Sequence, residues 1–372
     1  MNTFFAVTAP GMDQFTASEL RSLNLIPQVE AGGVTFTSSL EGLYRANLHL
    51  RTASRILARV GQFFYATTFS ELRDRAGRLP WERFIKPGQA VAIRATCHKS
   101  KLMHTGAVAE RIASAIYDRL GKAPLIVDAD GEEEIPAQLV VIRIASDRVI
   151  ASVDSSGELL HRRGYRQAVA RAPIRETLAA GMLMAAGWDG HSALVDPFCG
   201  SGTIPIEAAM MSAGIPPGLR RRFAFMDWPD YDEKLWHSLI AGVHLLPVGQ
   251  PGVFASDRDA GAIQMSQANA ARAGVADAIQ FSCNAISAVE PPAASGWIVT
   301  NPPYGLRISE GRDLRNLYAQ LGNVLRARFS GWHVAILCSD PILLGHTGLK
   351  LDTSFSMING GVSVRLGIGS VI

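Results

Sequence analysis

At 372 residues the chain is longer than one hydrophobic core usually serves, so two or three domains are expected. Hydrophobic residues make up 48% and charged residues 19%; mean hydropathy is +0.13, yet no window approaches the roughly 20 unbroken apolar residues of a membrane-spanning helix. Net charge is only +3, split as 21 Lys and Arg against 17 Asp and Glu in residues 1–170 and 15 against 16 thereafter, which leans towards a nucleic-acid-binding N-terminal half without deciding it.

In chain order, residues 2–7 read as a strand and 13–23 as a short helix. Gly32-Gly33 turns into a strand over 34–36, and a helix-like stretch covers 40–50. This is the pattern of a small α+β unit, taken as residues 1–50. A second unit, 51–157, offers strands over 90–95, 139–144 and 149–153. Between them Val108, Ile112, Ala115, Ile116 and Leu120 share one helical face, with Gly121 as the stop. In the third unit, 158–372, short apolar runs at 193–195, 253–255, 279–282, 297–300 and 334–338 alternate with helices over 259–273 and 313–328. The second helix repeats Leu314, Leu317, Tyr318, Leu321 and Leu325 at the helical period. Such alternation implies an α/β fold with a parallel, doubly wound sheet, whose ligands bind at the carboxyl ends of the strands.

Two motifs follow strands of that sheet. The first is Asp196-Pro197-Phe198-Cys199-Gly200-Ser201-Gly202-Thr203, a glycine loop leading into an apolar helix. It lacks the Gly-Lys-Ser/Thr ending of a phosphate loop, and Pro205 breaks the dinucleotide pattern. The acid at the strand end repels phosphates but suits a ligand with hydroxyls, an amine and positive charge, as in S-adenosylmethionine. Asp257, ending the next strand, is placed to accept from ribose hydroxyls, while Asp259 reads as a helix cap. The second motif is Thr300-Asn301-Pro302-Pro303-Tyr304-Gly305. An exocyclic amine on a base, or an amide nitrogen, must pyramidalise before it can attack a methyl group. The Asn301 side-chain oxygen and the Pro302 carbonyl can accept its two N–H bonds, and Tyr304 can stack on the planar target. Positioning and polarisation suffice, with no strong base.

Together these motifs resemble the amino-methylating class I S-adenosylmethionine-dependent methyltransferases. The segments His161–Arg166, 172–179 and Asn269–Gly274 look like those of bacterial THUMP-containing RNA guanine-N2 methyltransferases, and 95–105 is similar to their THUMP segment. The resemblance covers nearly the whole chain. It implies a ferredoxin-like start, a THUMP RNA-binding module and a Rossmann-like catalytic domain. By that likeness Asp196, Pro197, Gly200, Gly202, Thr203 and Asp257 contact the donor, Glu176 and Thr177 border it, and Asn284 replaces the acid often found near the adenine amine. Asn301, Pro302 and Tyr304 hold the target.

Candidate RNA contacts are Lys99, Lys101 and His104, with His98 beside them, together with Arg166, Arg220 and Arg221. The last two lie in an insertion over 214–249 where basic residues adjoin Phe223, Phe225 and Trp228; such a cluster can hold phosphates and stack on bases, or be a solvated charge run beside a packed patch. No zinc site is expected from the two histidines, and Cys97, Cys199, Cys283 and Cys338 contain no Cys-x-x-Cys pair, which fits a reducing cytoplasm. Residues 1–19 show no signal-peptide pattern. The leading expectation is guanine-N2 methylation of large-subunit ribosomal RNA, followed by transfer RNA. Amino-methylation of DNA adenine or cytosine, glutamine methylation in a protein, and a non-catalytic RNA-binding assembly role are the competing readings.

Overall fold

The computed structural model describes residues 1–127, 137–167, 174–246, 252–304 and 314–372. The N-terminal part is built on a nine-stranded sheet. Along its path come Pro27–Glu30, Gly33–Ser38, Asn2–Thr8, Ala53–Arg59, Arg148–Asp154, Gln138–Ala145, Ala90–His98 and Leu125–Val127, and Phe64–Tyr65 pairs with Arg148–Asp154. The strand Ala53–Arg59 was not foreseen from the sequence. It pairs with Asn2–Thr8 on one side and with Arg148–Asp154 on the other, so the first two units share one sheet. The helix Thr105–Leu120 packs the expected apolar stripe inward and ends at Gly121, whose φ of +70° is the left-handed geometry of a helix stop.

The C-terminal sheet has eight strands. Its order is Ile279–Cys283, Val253–Asp257, Leu194–Asp196, Trp297–Thr300, His333–Cys338, Val362–Ser370 and Leu351–Asp352, with Ser356–Asn359 also on Val362–Ser370. The first five are mutually parallel, as expected; the closing strands are antiparallel, which was not. Alternate residues of one strand enter different cores. Ala335 and Leu337 join the helices Glu176–Ala185, Thr203–Ser212 and Ala260–Ala273, while Val334, Ile336 and Cys338 meet Tyr318, Leu321 and Leu325 of Arg315–Arg328. Burial on both faces is why these strands read as continuous apolar runs. The chain leaves Leu194–Asp196 in one direction for Val253–Asp257 and later returns to its other side with Trp297–Thr300, making a topological switch point there.

The insertion after Thr203–Ser212 belongs energetically to the N-terminal part. Phe223, Phe225, Trp228 and Trp236 are buried in the N-terminal core. Tyr44 stacks on Phe225 at 4.4 Å, and Phe84 meets Trp228 edge-on at 4.9 Å. These aromatics are therefore unavailable to bases, and the base-stacking reading of the insertion gives way to a packing one. Among the described residues no helix is long and apolar enough to cross a membrane. Phe225→Ala removes a fully buried ring from the seam and should destabilise the protein by about 3–5 kcal/mol, read by urea unfolding; a loss below about 1 kcal/mol would show that the seam collapses around the gap.

Candidate active site

Asp196, the glycine loop after it and Asp257 gather at the carboxyl edge of the second sheet. Asp196 ends its strand fully buried; its Oδ1 accepts from Phe198 N at 3.2 Å and from Thr300 Oγ1 at 2.7 Å. The loop then turns through Gly200 and Gly202, at φ +52° and +86°. A Cβ on Gly202 would sit 2.1 Å from Ser266 Oγ, so glycine is required there for the helix Ala260–Ala273 to approach. A Cβ on Gly200 would meet nothing within 4 Å, which leaves open space over the loop for a ligand. Gly200 N donates to Asp257 Oδ2 at 3.0 Å, tying the loop to the next strand. Asp257 Oδ1 accepts from Asp259 N, and Asp259 caps its helix through Gly261 N at 2.8 Å, in the role expected of it. Asn284 is exposed just past Cys283, the residue in register with Asp257. Pro197 and Thr203 are buried within the turn.

Glu176 and Thr177 open the buried helix Glu176–Ala185. Arg166, expected on RNA, is instead committed here: Nε lies 3.1 Å from Glu176 Oε1, and its NH2 group donates to Ile174 O at 2.6 Å and Thr203 Oγ1 at 3.1 Å. It is a brace under the donor loop. Burial pushes the Glu176 carboxyl up to about 7 against the opposing pull of Arg166, and pushes Asp196 up to about 7 with Asp257 adding repulsion.

Across the switch point, Asn301 follows Thr300. Its Oδ1 is buried and has no hydrogen-bond partner among the described residues, an acceptor left open. Pro302 is buried, and Tyr318 Oη donates to the Pro303 carbonyl at 3.3 Å. Tyr304 is half-buried between the two cores of the sheet, and its hydroxyl accepts from Asn359 Nδ2 at 3.1 Å. Gly305, the end of the motif, lies outside the described residues, as do Ala172 and Pro173. Neither Tyr318 nor Asn359 is marked as a site residue by the sequence: Tyr318 lies within an apolar helical stripe, and Asn359 opens the hairpin-turn signal Asn359-Gly360-Gly361.

The other expected RNA contacts divide. His98, Lys99, Lys101 and His104 are exposed together at the far end of the first sheet, with His104 Nδ1 also accepting from Ala107 N to cap a helix. Arg221 is elsewhere: its guanidinium donates to the carbonyls of Ser156, Glu158, Leu159 and Arg162, so it clasps the chain between the units instead of facing a phosphate. Arg220 donates to the Arg272 carbonyl, and Arg222 pairs with Asp227. Among the described residues no group of three or more His, Cys, Asp or Glu could hold a metal.

Residues 163–365 match the family described as "RMKL-like, methyltransferase domain". The chain belongs to that family. Residues 3–57 match an "RlmL ferredoxin-like domain" and residues 66–154 a "THUMP domain". The "Ribosomal RNA large subunit methyltransferase K/L" of Syntrophotalea carbinolica is 36% identical over 98% of this chain and 53% of its own length, so the chain spans about half of that relative. The "Putative RNA methyltransferase slr0064" of Synechocystis is 34% identical, covering 98% of this chain and 95% of its own. The crystal structure of SMU.472 complexed with SAH superposes with a TM-score of 0.86 at 29% identity, over 100% of this chain and 98% of that one.

A buried acid with a raised pKa makes stability fall with pH. Asp196 titrates near 7 when folded and near 3.8 otherwise, so its contribution is complete below about pH 4 and is lost as pH rises through about 7. Asp196→Asn keeps an acceptor for Thr300 and removes the charge. In ligand-free protein, the stability of the variant relative to the parent should therefore climb between about pH 4 and 7; a flat difference in urea unfolding would show that Asp196 is solvated.

Proposed function

We propose that the chain is an S-adenosylmethionine-dependent RNA methyltransferase that methylates guanine N2, with large-subunit ribosomal RNA as its substrate class, residues 158–372 as the catalytic unit and 1–157 as the RNA-binding part. The observation that carries this reading is the buried Asn301 Oδ1, without a partner among the described residues, set across the switch point from the donor loop.

The donor site fits S-adenosylmethionine by its chemistry. Asp257 is half-exposed at a strand end and can accept from ribose hydroxyls; Asn284 lies beside it for the adenine edge. Open space over Gly200 admits the ligand, and the Asp257 carboxylate at its edge suits hydroxyl donors better than a phosphate. When bound, the donor supplies a methyl group on a positive sulfur. The protein's part is positional. Asn301 Oδ1 and the Pro302 carbonyl accept the two N–H bonds of the target amine, directing its lone pair away from the ring system and towards the donor. Tyr304, fixed by Asn359 and by packing, limits where the base plane can lie. The amine proton is lost after the new bond has made the nitrogen acidic, so no strong base is needed.

The ribosomal substrate is supported by the names of the relatives and by the match to a THUMP domain. Transfer RNA is the second reading, because a match to a THUMP domain supports an RNA substrate without fixing its class. Purified protein incubated with labelled S-adenosylmethionine and total RNA from cells lacking its gene should yield N2-methylguanosine on nucleoside analysis, concentrated in large-subunit ribosomal RNA. Asn301→Ala should abolish transfer, by about 10²-fold or more, and leave donor binding by calorimetry nearly unchanged. Label appearing only in DNA or protein would reject the RNA reading, and loss of donor binding with Asn301→Ala would reject the role given to its side chain.

A further inference from the structure

The first sheet has one face packed on helices and one facing outward. In Gln138–Ala145 the residues Gln138, Val140, Ile142 and Ile144 point into the core, and Arg143 is exposed on the opposite face. The neighbouring strand Arg148–Asp154 begins with exposed Arg148, paired with Tyr65 in the short strand Phe64–Tyr65. At this edge two large aromatics stand in solvent: Phe63 is 47% exposed and Tyr65 54%. Their rings meet edge-on at 5.9 Å, and the Arg148 guanidinium lies 3.7 Å over the Phe63 ring.

This cluster is held firmly. Ala66 N donates to the Asp147 carbonyl at 3.0 Å, and Ser146 N to the His98 carbonyl at 3.1 Å. The Asp147 carboxylate, the acid of this turn, accepts from Ser100 Oγ at 2.6 Å and Lys101 N at 2.7 Å. Its charge is thus engaged by the loop that presents Lys99 and Lys101. Lys99, Ser146 and Asp147 all adopt positive φ, so two tight turns are locked against each other with their cationic side chains outward. Arg143 and Arg148 lie close enough to Arg59 to oppose its charge, with Glu30 as the acid that faces it. Exposed aromatics interleaved with cations, on a rigid support, suit a strand of nucleic acid whose bases are free: every base has a stackable face, and each phosphate a charge to neutralise. A duplex hides those faces and could use only the cations.

We propose that Phe63, Tyr65 and Arg148 form a stacking platform for unpaired bases of the RNA substrate, with Lys99 and Lys101 on the flanking phosphates. This rests on the RNA reading above and adds to it the form of RNA that the N-terminal part grips. A base lies against Tyr65 or on the outer plane of the Arg148 guanidinium, with Phe63 behind it. Tyr65 and Arg148 belong to the N-terminal sheet and Asn301 follows a strand of the C-terminal one, so the platform sets affinity and placement and leaves the chemical step alone.

The test uses the full chain and a fluorescein-labelled unstructured RNA of about 12 nucleotides, alone and annealed to its complement. Phe63→Ala/Tyr65→Ala should weaken single-strand binding by about tenfold or more, with duplex binding changed less than about twofold. Tyr65→Trp should retain affinity, and its added fluorescence should be quenched by the single strand. In methyl transfer the alanine pair should raise KM and spare kcat. A correctly folded alanine pair that binds single strands like the parent overturns the proposal. So does an equal loss for duplex, an unquenched Tyr65→Trp, or unchanged RNA affinity with a shift in oligomeric state, which would assign the patch to contacts between copies of the chain. The two readings fail separately: no methyl transfer to RNA by the parent protein with the binding pattern intact removes the enzymatic reading alone, and normal transfer with unchanged binding and KM in the alanine pair removes the platform alone.

Discussion

The hydrogen bond from Thr300 Oγ1 to Asp196 Oδ1, 2.7 Å long and fully buried, joins the strand of the donor loop to the strand of the target motif. The backbone ladder between these strands pairs only Leu194 with Trp297 and Val195 with Ile298, so beyond that point the strands are free to part. Parting opens the crevice at the switch point, and this side-chain bond sets how far. Because the same Asp196 oxygen accepts from Phe198 N, the first turn of the donor loop is fixed by the atom that fixes the target strand. The arrangement tolerates a neutral Asp196, since its role here is as an acceptor, and burial does favour the neutral form.

A second buried network sets the N-terminal part against this crevice. Glu207, on the helix that leaves the donor loop, accepts from Tyr165 Oη at 3.2 Å and lies near Arg163 and Arg51 at 3.4 and 3.8 Å. Arg51 in turn donates to the Ile215 carbonyl at 2.7 Å, and Arg163 to the Arg51 carbonyl at 2.6 Å. Buried charges of this kind contribute little net stability, because desolvation offsets their attraction. What they supply is direction: an apolar seam such as Phe225 against Tyr44 can slide, whereas guanidinium groups bonded to named carbonyls cannot. The seam and the network together tie the N-terminal sheet and the donor loop into one frame.

The catalytic half was legible because its chemistry is local in sequence. Strand, glycine loop and acid follow one another within a few residues, and the structure gathers Asp196, Gly200, Asp257 and Asn301 at one sheet edge as their positions after strands implied. What stayed hidden depends on distant partners. The antiparallel closing strands carry little signal because Ser356–Asn359 and Val362–Ser370 are partly exposed and interrupted by serine and glycine, so neither reads as a continuous apolar run. Phe223 and Trp228 look alike whether they stack on bases or on Tyr44 and Phe84, because composition reports that an aromatic wants burial and not against what. Arg166 and Arg221 were read as surface cations for the same reason: a guanidinium that braces Glu176 or clasps four carbonyls has no mark in sequence to separate it from one that meets a phosphate.

Charge placement constrains how RNA can approach. The half-exposed Asp257 carboxylate sits at the crevice beside the donor loop, and a phosphate entering there would meet its repulsion. The exposed cations Lys99, Lys101 and Arg148 stand on the N-terminal sheet, which is fixed relative to the crevice by the seam and the Glu207 network. Under the proposed function, a backbone held by those cations and repelled by Asp257 presents its base, not its phosphate, to Asn301. The target nucleotide must therefore be unpaired or turned out of its helix before it reaches the pocket, and a surface that grips single strands selects RNA in which that cost is already met.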